Sequence, residues 1–223
     1  MVVPSQCYLR TLKIKTPTGL GTCFTINRHG RQWLVTAQHV LEGVNPVDIK
    51  VVTHDGVEQA GLPLQLVPPV NPGADIAVLS LNGNELTHDL SLLPSSEGCV
   101  ITQDAYFLGF PFGLSFQNAF ETLPIVKKSI VSGNDRSNSV LLWLLDGINN
   151  PGFSGGPVVF NRLGTDDWQV LGVVSGYRTQ AVAVADGAGH VPTNSGIILA
   201  YGINHAVESI DQFVRSLGTN PAA

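Results

Sequence analysis

The sequence predicts an all-β fold, its sheets closed into barrels, with one α-helix at the C-terminal end. Three observations lead there. The 223 residues include 24 Gly and 14 Pro and only 13% are charged, against 43% apolar, which describes a turn-rich packed chain rather than a disordered one. Short apolar or alternating runs recur at close spacing between Gly, Pro and Asn turns, the pattern of small barrels. One stretch, residues 204–217, switches to helical spacing.

Taken in order, residues 7–15 alternate from Cys7 to Lys15 and predict a first strand. The turns Thr16-Pro17-Thr18-Gly19 and Asn27-Arg28-His29-Gly30 lead into strands over 21–26 and 32–36. His39 follows in a short turn or helix over 38–42. Residues 48–53 and 62–66 predict further strands, parted by His54-Asp55-Gly56. The Pro-rich loop 68–73 is stiff and delivers Asp75 to the start of a strand over 76–81. The polar segment 82–98 is the expected boundary between lobes of about residues 5–85 and 98–202. Beyond it, strands are expected over 105–108, 121–131, 140–145, 157–160, 168–175 and 196–200, with no sequence repeat relating the halves. In the final helix Val207, Ile210, Phe213 and Val214 fall on one face, and Gly218 follows as a stop.

Composition excludes several classes. Net charge is −5, and Lys127-Lys128 is too little for a basic patch, so no nucleic-acid partner is expected. No apolar run approaches the ~20 residues of a membrane span. The start, Met1-Val2-Val3-Pro4-Ser5, has neither the basic nor the apolar region of a secretion signal. Three cysteines (Cys7, Cys23, Cys99) and six scattered histidines show no metal-ligand spacing. Neither metal nor cofactor is expected, and a reducing, cytoplasmic setting fits the odd cysteine count.

The stretch Asn149-Asn150-Pro151-Gly152-Phe153-Ser154-Gly155-Gly156-Pro157 sets one serine among three glycines. Such glycines let the backbone reach conformations closed to other residues and bring its N–H groups close to a ligand. A tight turn entering a buried strand would look the same locally, so other stretches decide. Residues 152–156 also match G-x-S-x-G, the nucleophile elbow of α/β-hydrolases. That elbow runs from a strand straight into a helix, whereas Pro157-Val158-Val159-Phe160 predicts a strand.

Two more stretches carry a resemblance. Trp33-Leu34-Val35-Thr36-Ala37-Gln38-His39-Val40 resembles the strand ending in Thr-Ala-x-His of the chymotrypsin-like (trypsin-like) serine proteases. Asn71-Pro72-Gly73-Ala74-Asp75-Ile76-Ala77-Val78-Leu79 resembles their Asp-Ile-Ala-Leu/Val-Leu segment, and the order His39, Asp75, Ser154 is theirs. The bacterial HtrA/DegP-type peptidase domain, without a PDZ domain, is most similar. Gly21-Thr22-Cys23-Phe24 resembles its Gly-Ser-Gly-Phe strand, and Leu108-Gly109-Phe110-Pro111-Phe112-Gly113 its Gly-x-Pro-x-Gly turn. The resemblance covers about residues 21–202. It implies one peptidase domain of two antiparallel six-stranded β-barrel lobes with a C-terminal helix. Secreted animal members often carry a cysteine just after the histidine, where this chain has Val40.

The resemblance implies a serine endopeptidase that acts on polypeptides through an acyl-enzyme. Ser154 would be the nucleophile, His39 its general base and Asp75 the group that orients His39. The N–H groups of Gly152 and Ser154 would hold the oxyanion. Ser175 would support Asp75 and begin the strand that pairs with substrate. Ile148, Asn149, Asn150, Ser175, Gly176, Tyr177, Gly196 and Ile197 would line the primary pocket. Trypsin-like members place an acid six residues before the serine, where this chain has Ile148. A desolvated cation there would lack a partner, so cleavage is expected after uncharged, aliphatic residues. Digestive members also carry an aspartate directly before the serine, which pairs with an N-terminus freed by cleavage. Phe153 stands at that position. The turn then has to be held by packing, and the site would be constitutive or ordered by a regulatory protein or peptide partner. Two other classes stay open: a silenced protease fold used for binding, and an esterase using the same site.

Overall fold

The computed structural model describes residues 2–87, 92–118, 121–183 and 189–218. β1 (Thr11–Thr16), β2 (Gly19–Arg28) and β3 (Arg31–Thr36) form an antiparallel meander, with Ile14 opposite Gly21 and Thr25 opposite Leu34. β4 (Lys50–Val52), β5 (Glu58–Gln59), β6 (Gln65–Val67) and β7 (Ala77–Ser80) complete one sheet in the order β5-β4-β1-β2-β3-β7-β6. The second sheet begins with β8 (Leu93–Pro94) and β9 (Asp104–Gly109). A separate hairpin of β10 (Phe116–Asn118) and β11 (Glu121–Leu123) intervenes. The second sheet continues with β12 (Ile125–Asp135), β13 (Leu142–Asp146), β14 (Pro157–Asn161), β15 (Trp168–Ala183) and β16 (His190–Gly202). Its order is β14-β9-β12-β13-β16-β15-β8, and an added β14–β15 pairing closes six of these strands into a barrel.

The all-β, two-lobe architecture with a C-terminal helix is as the sequence predicts, but several details differ, among them the expected strand over 121–131, which is split between β11 and β12. The first sheet has seven strands, and among the described residues its end strands β5 and β6 do not pair with each other. Both are only two or three residues long, too short to complete the expected six-stranded closure. Residues 7–10 are not strand. A short helix, α1 (Ser5–Tyr8), starts after Pro4 and turns Cys7 into the core, where the Thr11 hydroxyl donates to the Cys7 carbonyl (2.9 Å). Finally, β15 and β16 run well past the predicted 168–175 and 196–200. Residues 177–183 of β15 are exposed, so no buried face imposes the apolar alternation by which strands are read.

Two of the cores position the site. One runs through both lobes, joining Phe24, Trp33 and Val78 to Leu108, Val159, Val173 and Ile203. The other fills the closed barrel around Phe107, Phe153, Phe160 and Ile198. Helix α2 (Asn204–Gly218) packs on the first of these. Its buried face is His205, Ala206, Ser209 and Ile210, with Phe213 edge-on to Trp33 (6.0 Å). Val207 lies outside this buried face. Two polar residues face inward and each accepts a bond from a backbone N–H, while among the described residues the buried His205 Nδ1 has no hydrogen-bond partner. The His205 Nε2 accepts from the Leu141 N–H (3.0 Å), and the Ser209 hydroxyl accepts from the Val70 N–H (3.1 Å).

Asp211 ties this helix to the β2–β3 turn. It accepts two hydrogen bonds from the Arg28 guanidinium (2.5 Å each) and lies 2.7 Å from His29 Nε2. The Arg28 bonds first, with His29 adding and burial opposing, pull its carboxyl from 3.8 to about 2. A depressed carboxyl stabilises the fold above its unfolded pKa, and that contribution fades as pH falls through the folded value. Asp211→Asn should therefore cost about 1–2 kcal/mol at neutral pH. In thermal unfolding, the gap to the unsubstituted protein should close between pH 4 and 2.

Candidate active site

β3 and β7 pair antiparallel, with Thr36 opposite Ala77. The end of β3 and the start of β7 therefore lie side by side. His39 sits in the 3-10 turn directly after β3 (Gln38–Leu41), and Asp75 lies two residues before β7. Asp75 grips His39 twice. One carboxylate oxygen accepts the His39 backbone N–H (2.9 Å), and the other accepts from Nδ1 (2.6 Å) and from the Ser175 hydroxyl (2.5 Å). This fixes the ring and leaves Nε2 for other work. Burial pushes the Asp75 carboxyl up, but the bonds from His39 and Ser175 outweigh it and hold Asp75 below the usual range. The Asp75 hydrogen bond in turn raises His39 above 6.5, with the Asp75 and Glu42 charges adding and burial opposing.

The turn before Ser154 is held from both lobes. Phe153 N–H donates to the Asn150 carbonyl (3.2 Å), with Pro151 and Gly152 (φ +102°) at the central positions, the arrangement of a type II turn. The Pro151 carbonyl accepts from the Phe112 N–H (2.7 Å). In a trans peptide the N–H points opposite to the carbonyl, so this bond fixes where the Gly152 N–H aims. Thr22 of β2 holds the other flank. Its hydroxyl donates to the Gly152 carbonyl (2.7 Å) and accepts from the Phe110 N–H (3.1 Å), while its N–H donates to the Ser154 carbonyl (2.9 Å). Among the described residues, the Gly152 and Ser154 N–H groups donate to no protein acceptor. Phe153 is fully buried, edge-on to Phe107 (4.8 Å), with the Lys127 ammonium over both rings. The Ser154 hydroxyl donates to the Ser175 carbonyl (3.1 Å), and among the described residues no hydrogen bond joins it to His39.

The remaining expected residues come together beside this turn. Gly147 N–H donates to the Gly196 carbonyl (2.8 Å), and the Asn194 amide donates to the Asn149 carbonyl (2.7 Å). These bonds, with Tyr177 opposite Ile198, unite residues 148–150, 175–177 and 196–197. Ile148, Ile197 and Tyr177 are partly exposed, and a side chain at Gly176 would meet open space. Asn149 is buried, and among the described residues its Oδ1 has no hydrogen-bond partner. A cleft of about 520 Å³ adjoins His39 and Asp75, bordered by Leu41, Leu66 and Pro72.

Sequence reasoning met Thr22 and Phe112 only inside family-like motifs and Lys127 only as half of a charge pair, and gave none of them a part in the site. Their contacts span large sequence separations, so no local pattern announces them. Thr22, flanked by Gly21 in a buried strand, carried a faint signal: a polar side chain in such a place needs partners.

A family model of the trypsin-like peptidase domain matches residues 21–173. The chain belongs to the trypsin-like peptidase domain family. Solved structures of the same fold include the HtrA-type protease AlgW with tripeptide, at 23% identity and a TM-score of 0.65 over 93% of this chain. The Rv3671c protease from M. tuberculosis in its active form matches at 20% identity and 0.63, over 97% of this chain and 85% of that one. The serine endoprotease from Yersinia pestis matches at 18% and 0.63, over 96% and 68%. This chain spans 61% of the AlgW chain. Comparison with curated proteins returns no match. Among the described residues, no helix is long and apolar enough to cross a membrane, and no cluster of potential metal ligands occurs. All three cysteines are free.

Proposed function

We propose that this chain is a single peptidase domain, lobes about 5–85 and 98–202 with the helix over 204–217, acting as a serine endopeptidase on polypeptides. The observation that carries this reading is the pair of N–H groups, Gly152 and Ser154, left without a protein acceptor among the described residues, beside a serine whose neighbourhood also holds the Asp75–His39 couple. A shift of the Ser154 side chain between staggered wells releases Ser175 and turns Oγ to His39 Nε2. Nε2 takes the proton as Oγ attacks the peptide carbonyl. The tetrahedral oxyanion is held by the two N–H groups, each worth about 10²–10³ in rate. His39 then protonates the leaving amine, and water, activated by the same imidazole, hydrolyses the acyl-enzyme. Because the turn is held by Phe112, Thr22 and the buried Phe153, the site is constitutive and needs no cleavage. A regulatory protein or peptide acting on that turn remains the alternative mode of control. The free cysteines favour a reducing, cytoplasmic setting.

Neutral imidazole is the competent base, and Asp75 raises its pKa. The kcat/KM for a peptide should therefore rise with pH through a midpoint above 6.5, the ordinary histidine value. A profile flat across this range, with chemistry shown to limit the rate, contradicts His39 as the base. With Ile148 at the pocket, a peptide library should be cut after uncharged, aliphatic residues; preference for Arg or Lys contradicts that assignment. A folded protein that binds peptides without cutting them would match the silent binding module. Turnover of esters alone would match the esterase.

A further inference from the structure

β15 changes its company along its length. From Trp168 to Val173 one side of it pairs with β14, with Pro157 opposite Val173 as the last pair, while its other side meets β8 at Gln169 and Val170 and β16 from Gly172 onward. At Val174 the backbone still exchanges bonds with Gly155 and Gly156. Beyond that point β14 has given way to the Ser154 turn, and among the described residues β15 pairs with β16 alone, as far as Ala183 opposite His190. The vacated side is the side on which Ser154 sits, because the Ser175 carbonyl there accepts the Ser154 hydroxyl. An open strand edge therefore starts at the nucleophile and runs on through residues 176–183, with a break in its register against β16 between Tyr177 and Thr179, over at most about 25 Å at strand spacing.

The two outer edges of this ribbon are guarded differently. β16 also loses its second neighbour, since β13 pairs only with Ile197–Tyr201, and the freed stretch carries Pro192 opposite Ala181. A proline has no N–H to offer and sits in a ladder where that side faces away from the partner strand, which blunts an edge. The β15 edge, Gly176-Tyr177-Arg178-Thr179-Gln180-Ala181-Val182-Ala183, has no proline and one charge. Long exposed edges of this kind are normally suppressed because they recruit other strands. Here the edge without a proline, interrupted by an irregularity between Tyr177 and Thr179, is the one continuous with the candidate site.

We propose that residues 178–183 of β15 extend the substrate-binding strand, so that the protease takes a polypeptide segment extended for about eight residues on the N-terminal side of the scissile bond. This rests on the serine-protease reading above. The segment adds antiparallel to β15 and is read through its backbone, so many side chains are accepted. Such a length of free strand is offered by an unstructured tail or an unfolded chain and not by a tight surface loop. That defines the substrate class.

The test uses peptides sharing one cleavable core and lengthened stepwise toward the N-terminus. Their kcat/KM should keep rising beyond four residues before the bond and reach a gain of about tenfold or more by eight, as successive backbone pairs form. N-methylation of the long peptide should remove the gain at alternate residues and spare those between, because successive residues of a strand face opposite ways. In the Ala181→Pro protein the ratio of long-peptide to short-peptide kcat/KM should fall toward one, any general loss cancelling in the ratio. A gain that stops at four residues, or one indifferent to every N-methyl position, overturns the proposal. If no peptide is cut and Ser154 takes up no fluorophosphonate, the protease reading is what fails. Binding by the Ser154→Ala protein then still reads the edge, and equal affinity for long and short peptides overturns the proposal.

Discussion

Ser154→Ala is expected to lower kcat for peptide hydrolysis by about 10⁴–10⁶-fold, as removal of a triad nucleophile does elsewhere. The fold should survive, because among the described residues the Ser154 hydroxyl makes a single hydrogen bond, to the Ser175 carbonyl. His39→Ala should cost a similar factor. The double variant should be little worse than either, because base and nucleophile act as one unit. Steady-state kinetics on one peptide, with circular dichroism to verify folding, decides this. A folded Ser154→Ala protein of full activity would remove the serine from the mechanism.

Gly152→Ala is expected to cost about 10²–10³ in kcat, the value of one oxyanion donor. Gly152 has φ +102°, and an added Cβ would lie 2.4 Å from the Phe110 carbonyl oxygen and 3.0 Å from the Phe112 nitrogen. Relief requires rotation of the peptide that Phe112 holds, and this takes the Gly152 N–H out of the site. KM should move far less, because the donor acts on charge that develops only in the transition state. An unchanged kcat would place the oxyanion elsewhere.

The candidate site was legible because each of its parts is a short-range pattern. Thr36-Ala37-Gln38-His39, the Asp75-Ile76-Ala77 strand start and the Gly152–Gly156 turn each declare local backbone geometry, and β3–β7 pairing brings the first two together. The struts of the turn before Ser154 were not legible. Thr22 reaches Gly152 across 130 positions, and the Phe112 bond comes from a backbone N–H, which carries no side-chain signature. Buried His205 and Ser209 were missed because their partners are backbone N–H groups of distant loops. The outer ribbon of β15 and β16 was missed for the opposite reason, since a strand with no buried face has no apolar rhythm. The short helix α1 was hidden by an alternation that belongs in fact to β1, which starts only at Thr11.

The measurement that tests the central claim most directly is fluorophosphonate labelling of the intact, untrimmed chain, with the adduct mapped by mass spectrometry. A base-activated serine beside a formed oxyanion hole is expected to give one adduct per chain, on Ser154, lost in the His39→Ala protein. Folded protein that stays unlabelled, or that labels only after its N-terminus is trimmed, would contradict a constitutive serine protease.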